Sequence, residues 1–432
     1  MIKFFLNSFF WKALNIGSSV LTGILLARLL SVEGRGEYAI FISIVSLYTV
    51  ILNFGIPESL VYLLQKEKEN TSNLVKYGLL VPTVILVILI LLHGVLLFFN
   101  INILYLEINS VIVPIFICLI FGSYNVLLRH LVLKDNKIPI YNLLSSIETI
   151  SNLVIFFILY LMNQFILLNI IFVFTGTILL SFIIHVGYLK NTIIRLYINK
   201  FSFDYKVFKR LLKLAFPLFF VGLSGIFSTR LNLFILDYFH SSISVGYFAI
   251  AITFPNLLLI LPNQIAALLY PVASGIEKNS ELINYGNNIL KHIIFFTLLL
   301  VIIGSIVSPF LIPLLYGIRY VVVIPTVYII LIGIFFGGIN SVLLNLLVSH
   351  GKSKILFYNA LIIIFGVILF SFLVYLYSYK GTAITFTIIS MICFSISFSK
   401  YKKITNLQLS SLIIRRQDIK YLRTKLNNLL RK

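Results

Sequence analysis

Three ionisable residues, Arg230, Asp237 and Glu148, lie inside long apolar segments of this 432-residue sequence. A charged side chain that faces lipid in the middle of a membrane costs at least about 2.5–3.5 kcal/mol. These groups are therefore expected to face protein or a water-filled cavity. There an arginine suits a diphosphate, because its planar guanidinium can donate two hydrogen bonds at once. A carboxyl group at the same depth could carry a proton or pair with a cation.

Arg230 and Asp237 belong to a proline-rich segment, 211–271, that is predicted to form two membrane-spanning helices joined by a short turn at 240–244. The prolines of the two arms are Pro217, Pro255, Pro262 and Pro271. Kinked helices of this kind are tolerated where protein or water satisfies the freed carbonyls, and they are typical of transport pathways. Asp237 follows Arg230 by two helical turns, on nearly the same face. It could therefore hold Arg230 when a binding site is empty.

The composition indicates a multi-pass membrane protein and excludes a soluble globular domain, with 60% hydrophobic and 11% charged residues. We predict about twelve membrane-spanning helices from length and apolarity. Their approximate ranges are 11–30, 38–64, 77–99, 110–133, 141–161, 165–189, 211–238, 245–271, 289–312, 325–348, 355–376 and 382–399. Cys118 and Cys393 stand singly in apolar runs, and no metal-ligand spacing is present.

The distribution of Lys and Arg predicts the orientation in the membrane. If the N-terminus is cytoplasmic, nearly all 34 of these residues fall in cytoplasmic segments. The exceptions are Arg28, Arg35, Arg230, Arg319 and Lys380. This bias favours an even number of spans with both termini in the cytoplasm. It also accounts for the net charge of +21 without a nucleic-acid partner.

Two internal similarities indicate a duplicated chain. GEYAIFISIVSL (36–47) resembles GYFAIAITFPNL (246–257), and LVLKDNKIPIYN (131–142) resembles LVSHGKSKILFYN (347–359). Because the two offsets are close, we predict an all-α membrane protein with two pseudo-symmetric six-helix lobes. The lobes would be 1–199 and 200–399. The basic tail, 400–432, is predicted to lie on the inner leaflet as an amphipathic helix.

Three further charged residues, Arg28, Arg129 and Glu58, lie nearer the ends of predicted spans and could instead reach the membrane interface. The candidate substrate-binding residues are Arg230, Arg28 and Arg129, and the candidate ion-coupling or cavity-lining residues are Glu148, Asp237 and Glu58. We interpret EGRG (33–36) as a reverse turn. The GKS sequence at 351–353 is no phosphate loop, because Leu346 replaces the glycine required five residues earlier.

Several short stretches resemble the polysaccharide repeat-unit flippases (O-antigen, Wzx-type). These belong to the MATE-like multidrug/oligosaccharidyl-lipid/polysaccharide (MOP) exporter superfamily. The stretches are RLLSVEGRGEYAIF (28–41), AFPLFF (215–220), DYFHSSISVGYFAIA (237–251), PVAS (271–274), LLYGIRY (314–320), SHGKSK (349–354) and KGTAIT (380–385). The resemblance implies a MATE-like fold with the two six-helix lobes around a central cavity. It also implies export of an undecaprenyl-pyrophosphate-linked oligosaccharide across the bacterial inner membrane by alternating access. It implies no cofactor, although coupling to H⁺ or Na⁺ stays open. The partners would be membrane lipids and other polysaccharide-assembly membrane proteins.

Two other functions stay open. A cation-coupled multidrug exporter of the same superfamily would want a predominantly acidic cavity, which Arg230 opposes and Glu148 and Asp237 favour. A membrane polysaccharide polymerase or glycosyltransferase would need an outer loop that presents acid, base or metal ligands. The predicted outer loops are short and their acidic residues are scattered. Transport by a non-enzymatic protein is therefore the preferred interpretation.

Overall fold

The computed structural model describes residues 2–66, 71–98, 109–192, 203–276, 278–408 and 412. Within these ranges the chain is helical and contains no strand. The helices are α1 (Ile2–Leu29), α2 (Val32–Asn53), α3 (Ile56–Lys66), α4 (Thr71–Phe98), α5 (Asn109–Leu133), α6 (Ile138–Leu161), α7 (Leu167–Tyr188), α8 (Tyr205–Ile226), α9 (Asn232–Phe239), α10 (Ser242–Ser274), α11 (Asn279–Tyr316), α12 (Ile324–Ser349), α13 (Lys354–Leu369) and α14 (Ser371–Thr405). A π-helical turn, Phe227–Leu231, joins α8 to α9, and a 3₁₀ turn, Ile318–Val323, precedes α12.

Eleven helical segments of the described chain are long and apolar enough to cross a membrane. The remaining predicted span, 355–376, coincides with the 16-residue helix α13 and the first residues of α14. The two helices are separated at Phe370, and α14 bends at Ser378, whose φ is 53°. The predicted all-α, multi-span fold is confirmed, while the arrangement of two lobes around a central cavity stays a prediction.

The chain separates into two compact units, Met1–Gly246 and Tyr247–Lys432, and the division falls inside α10. The lobe boundaries at 199 and 399 stay predictions. In the second unit, α10, α11, α12, α13 and α14 share one hydrophobic core, in which Leu343, Leu346 and Tyr401 are fully buried. Of the tail that was predicted to form a surface helix, only residues 400–408 and 412 belong to the described part of the chain. The rest of that prediction lies outside the described residues.

In the first unit, α1 and α6 are joined along a polar seam. The Asn142 side-chain amide donates to the Ser8 hydroxyl at 2.8 Å, and the Ser146 hydroxyl donates to the Trp11 carbonyl at 2.8 Å. One turn further along α1, Asn15 donates to the Ser145 carbonyl at 2.8 Å. Such hydrogen bonds hold helices together where lipid offers no alternative partner. The seam therefore fixes the register of α1 against α6.

The predicted single span 38–64 is wrong, because the chain breaks at Phe54 and Gly55. Phe54 has φ 45° and Gly55 has φ 69°, both in the left-handed region that ends helices. A Cβ atom on Gly55 would overlap the backbone of α8, including the Phe219 nitrogen at 2.7 Å. Phe54 stacks on Phe219 with ring centres 4.7 Å apart. Contact with α8 therefore selects the break, which apolar periodicity alone did not reveal.

The repeated GEYA and GYFA sequences meet through their glycines. A Cβ atom on Gly36 would overlap the Ser242 carbonyl oxygen, and one on Gly246 would overlap the Val32 carbonyl oxygen. The two contacts are reciprocal, because Val32 precedes Gly36 by four residues and Ser242 precedes Gly246 by four residues. Each glycine therefore touches the residue that precedes the other glycine by one helical turn. The starts of α2 and α10 thus touch backbone to backbone, which only glycine permits. This contact gives the duplicated motif a physical role.

We predict that Gly36→Ala and Gly246→Ala each destabilise the protein. Each added methyl group would overlap a backbone carbonyl that cannot move independently, and overpacking of this kind costs about 1–3 kcal/mol. Gly17→Ala is the matched control, since a Cβ there meets nothing within 4 Å. Thermal unfolding of the purified variants measures the difference. Equal unfolding temperatures for all three variants would contradict the reciprocal contact.

Candidate functional site: a charged cavity in the first unit

A cavity of about 280 Å³ lies in the first unit, between α1, α2, α6, α7 and the π turn. Its lining residues are Ser19, Thr22, Gly23, Leu26, Arg35, Tyr38, Ala39, Ile42, Glu148, Thr149, Asn152, Phe174 and Arg230. Two guanidinium groups and one carboxyl group therefore share a small space that otherwise presents hydroxyl, amide and apolar side chains. The structure places Arg230 and Glu148, distant in the sequence, in the lining of the same cavity.

The π turn positions Arg230. The five residues Phe227–Leu231 wind more loosely than an α-helix, and such turns are frequent at functional sites. The side chain is partly buried, and it makes no hydrogen bond or ion pair with any residue that the structure describes. Its guanidinium is close enough to Arg35 and Tyr38 to interact with them electrostatically. Arg230 thus has donor capacity directed at the cavity.

Arg35 is a cavity residue that the sequence interpretation missed. EGRG was interpreted as a reverse turn, but these residues form the first turns of α2. Ser31 caps that helix, since its hydroxyl accepts a hydrogen bond from the Gly34 nitrogen at 2.9 Å. A serine two residues before Glu33 is a helix-start signal that could have corrected the assignment. The helical conformation places Arg35 over Tyr38, 5.9 Å from its ring centre, and in the cavity lining.

Glu148 reaches the cavity from the middle of α6, beside Thr149 and Asn152. The Asn152 side-chain oxygen is occupied by the Thr177 hydroxyl at 2.9 Å. Glu148 itself has no hydrogen-bond or ion-pair partner among the residues that the structure describes. The cavity lining therefore contains two cations and one anion when all three groups are ionised. This charge balance suits an anionic ligand.

The hypothesis that Asp237 holds Arg230 is not supported by the geometry. Asp237 accepts a hydrogen bond from the Ser242 hydroxyl at 3.1 Å and does not line the cavity. Within the described chain it forms no ion pair with Arg230. The physical reason is distance along the helix. A spacing of seven residues separates two side chains by about 10 Å along the axis, beyond the three- and four-residue spacings at which side chains on one face meet.

The remaining candidates, Arg28, Arg129 and Glu58, lie outside the cavity lining. Arg28 is exposed in the last turn of α1. Arg129 lies over the Tyr141 ring, 5.5 Å from its centre, and interacts electrostatically with Glu148 from α5. Glu58 is exposed at the start of α3, and its carboxylate is 4.0 Å from His130 Nε2. Their assigned roles stay predictions.

The cavity could hold a charged head group, though not a whole lipid-linked oligosaccharide. Its volume is close to the lower end of the range for ligand pockets, about 300–1,000 Å³. Among the described residues, no three His, Cys, Asp or Glu side chains are grouped so that they could hold a metal ion. The cavity lining can therefore bind a ligand through hydrogen bonds and charge, with Arg35 and Arg230 as the donors.

We predict that the cavity is open to water-soluble reagents. In a variant whose buried Cys118 and Cys393 are replaced by alanine, Thr22→Cys should react with a charged methanethiosulfonate. Leu21→Cys is the matched control, because Leu21 is the adjacent α1 residue, lies outside the cavity lining and is 52% exposed on an apolar helix surface that would face lipid. Mass spectrometry reports the extent of labelling. Equal labelling at the two positions, or none at Thr22→Cys, would contradict a hydrated cavity.

Comparison with known proteins identifies the family of the chain and its fold. A family described as "Polysaccharide biosynthesis protein" matches residues 25–325, well over half of the chain. No curated protein sequence matches significantly. The similarity to solved structures is extensive, though sequence identity is low, so that these matches concern the fold alone.

Three solved structures illustrate the fold. The lipid II flippase MurJ in an inward closed conformation has a TM-score of 0.71 and 20% identity, covering 95% of this chain and 91% of that one. An inward-facing multidrug resistance MATE transporter of the MOP superfamily has a TM-score of 0.67 and 15% sequence identity, and the match covers 91% of this chain and 94% of that one. A MATE protein in the bent conformation has a TM-score of 0.61 and 14% sequence identity, and the match covers 95% of this chain and 96% of that one. The chain therefore belongs to the polysaccharide biosynthesis protein family and has the fold of the MOP exporter superfamily.

Proposed function

We propose that the protein is a flippase that moves an undecaprenyl-pyrophosphate-linked oligosaccharide, such as an O-antigen repeat unit, across the bacterial inner membrane by alternating access. The observation that carries this proposal is the pair of guanidinium groups, Arg35 and Arg230, in one cavity of a multi-pass membrane protein. A diphosphate is a doubly charged group with many acceptor oxygens. Two arginines can neutralise it and satisfy those oxygens together.

The charges of the cavity lining favour an anionic over a cationic substrate. Two unit charges about 6 Å apart interact by about 3 kcal/mol at an effective dielectric constant of about 20. A cationic drug would be attracted by Glu148 but repelled by both Arg35 and Arg230. An anionic head group would experience the opposite balance. A cation-coupled multidrug exporter therefore remains the second candidate, supported by Glu148 and by the fold shared with the multidrug MATE transporter.

We further propose that the protein is a transporter without enzymatic activity, that it needs no cofactor, and that it lies in the bacterial inner membrane with both termini in the cytoplasm. Its partners would be the lipid-linked oligosaccharide, membrane lipids and other membrane proteins of polysaccharide assembly. Support comes from the eleven apolar helices and the family match. A polymerase or glycosyltransferase would instead need a catalytic acid, base or metal group directed at a sugar. Coupling to H⁺ or Na⁺ would involve Glu148, the carboxyl group in the cavity lining.

Arg230→Ala should abolish or sharply reduce export of surface polysaccharide. Losing a charge-assisted hydrogen bond costs about 1.5–3 kcal/mol, or roughly 10- to 150-fold in affinity. Arg35→Ala should have a comparable effect, Arg230→Lys should keep part of the activity because its charge remains, and Asp237→Asn should be milder. The measurement is complementation of a flippase-deletion strain, with membrane levels of each variant checked by immunoblot.

The control is Arg319→Ala, which removes an exposed arginine of the second unit and should leave export unchanged. Full export by a normally abundant Arg230→Ala protein would remove Arg230 from the substrate site. Loss of export in the Arg319→Ala control as well would show that the assay reports a general sensitivity to lost positive charge.

The orientation has its own test, motivated by the distribution of Lys and Arg. Reporter fusions should place Lys200 and the end of the tail in the cytoplasm, and Ser242 and Lys380 outside. Each position is tested with two reporters, one active only in the periplasm and one active only in the cytoplasm. The pair controls for the expression level of each fusion. A periplasmic signal from the fusion at Lys200 would contradict the proposed two-lobe topology.

A further inference from the structure

We propose that the start of α8 carries a binding site for anionic phospholipids of the inner leaflet. The site is a basic stripe on one face of the helix, formed by the exposed side chains of Lys206, Lys209, Arg210 and Lys213. The stripe is separate from the charged cavity, whose lining contains none of these residues. The inference rests on the proposed function in one respect, the orientation that places the start of α8 on the cytoplasmic side.

The four basic residues share one face because their spacing follows the helical period. They occupy positions i, i+3, i+4 and i+7, which are neighbours on a helix surface. The stripe extends about 10 Å along the helix axis. The opposite face of α8 is apolar and packs into the core of the first unit, where Leu211 and Ala215 are fully buried. The stripe therefore faces away from the protein core.

The stripe has a defined position, because the start of α8 is anchored to α4 through Tyr77. This tyrosine is fully buried, and its hydroxyl accepts a hydrogen bond from the Asp204 nitrogen at 2.6 Å. The Asp204 carboxylate caps α8 by accepting a hydrogen bond from the Lys206 nitrogen at 2.8 Å. The rings of Phe203 and Phe208 pack on Tyr77, with centres 5.7 and 5.3 Å away. A ligand that binds the stripe thus meets a preorganised helix end.

The stripe is unfavourable for its own helix unless an anion binds there. Like charges at spacings of three and four residues repel, and the stripe contains four such pairs. In the first turn, Lys206 also opposes the positive end of the helix dipole. Asp204 is the one acidic residue between positions 203 and 226. The three lysines of the stripe form no ion pair with any residue that the structure describes. A bound anion would relieve this repulsion.

The surroundings of the stripe favour a lipid over an acidic protein. The same face continues with Phe216, three residues after Lys213 and 50% exposed. Tyr205 is 64% exposed, and the Lys209 ammonium lies 5.7 Å from its ring centre. The helical segment Tyr205–Phe239 has 35 residues and is about 52 Å long, against about 30 Å for a hydrocarbon core. Its start therefore extends into the head-group layer, where aromatic rings are common and the inner leaflet is anionic.

Lipid binding at the stripe would act on the helix that carries a cavity arginine. The backbone stays helical from the stripe through the end of α8 and into the π turn that contains Arg230. An anionic lipid would hold the cytoplasmic end of this helix at the level of the head groups. The site therefore links the composition of the inner leaflet to the position of Arg230.

Native mass spectrometry of the full-length protein tests the site, with phosphatidylglycerol and phosphatidylethanolamine of identical acyl chains as the titrated lipids. We expect the wild type to prefer phosphatidylglycerol. Each basic residue near an anionic surface strengthens association about fivefold. A fourfold variant should therefore bind phosphatidylglycerol at least about tenfold more weakly and phosphatidylethanolamine unchanged. Its substitutions are Lys206→Gln, Lys209→Gln, Arg210→Gln and Lys213→Gln.

Two further variants separate the stripe from charge in general. A variant that keeps the charge, with Lys206→Arg, Lys209→Arg and Lys213→Arg, should bind phosphatidylglycerol like the wild type. The matched control removes four exposed lysines of the second unit and should also bind like the wild type. Its substitutions are Lys352→Gln, Lys354→Gln, Lys402→Gln and Lys403→Gln. If the fourfold stripe variant does not fold, the double variant Lys206→Gln, Lys213→Gln replaces it, with an expected loss of at least about fivefold.

Three results would overturn the inference. They are equal affinity of the wild type for the two lipids, undiminished phosphatidylglycerol binding by the stripe variant, and an equal loss in the matched control. Undiminished binding would leave the stripe to an acidic protein surface. The assay involves neither a lipid-linked oligosaccharide nor export, so its failure leaves the proposed flippase function standing. Full export by Arg230→Ala would likewise leave the lipid site standing.

Discussion

The structure depends on one constraint, that charge placed inside a membrane protein must be met by protein, water or ligand. Arg230, Arg35 and Glu148 are costly in apolar surroundings unless a polar cavity contains them. Here the cavity is built by helices that are joined through polar contacts, most clearly along the seam between α1 and α6. Because the arginines outnumber the carboxyl group in the lining, the lining carries a net positive charge when all three groups are ionised, and the proposed anionic substrate rests on that balance.

Sequence reasoning predicted the helices well and the local irregularities poorly. Apolar length identified nearly every span, since crossing a bilayer demands it, and the depth of Arg230 and Glu148 directed attention to the groups that share the cavity. The break at Gly55 was missed although a glycine followed two residues later by Pro57 is a helix-end signal. The contact with α8 that accompanies the break lies more than 150 residues away in the chain and is not visible in the local sequence. Arg35 was missed because a helix start was interpreted as a turn.

The pair Arg230 and Asp237 shows why a shared helix face does not by itself predict a contact. A regular helix places the two residues on nearly one face, and the expected pair followed from that geometry. They are two turns apart, about 10 Å along the axis, and side chains on one face meet at spacings of three or four residues. Arg230 lines the cavity while Asp237 accepts a hydrogen bond from Ser242, so the guanidinium of Arg230 has no internal counter-ion in Asp237.

The central claim is that charge recognition by Arg35 and Arg230 drives the selection of a lipid-linked substrate. It is tested most directly by reconstituting the protein in liposomes and measuring the flipping of two fluorescent lipids. One carries an oligosaccharide on a prenyl diphosphate, and the other carries the same oligosaccharide on an uncharged prenyl ether. The account predicts protein-dependent flipping of the diphosphate alone, lost in the Arg35→Ala, Arg230→Ala double variant. Equal flipping of both lipids, or unchanged flipping of the diphosphate by the double variant, would contradict it.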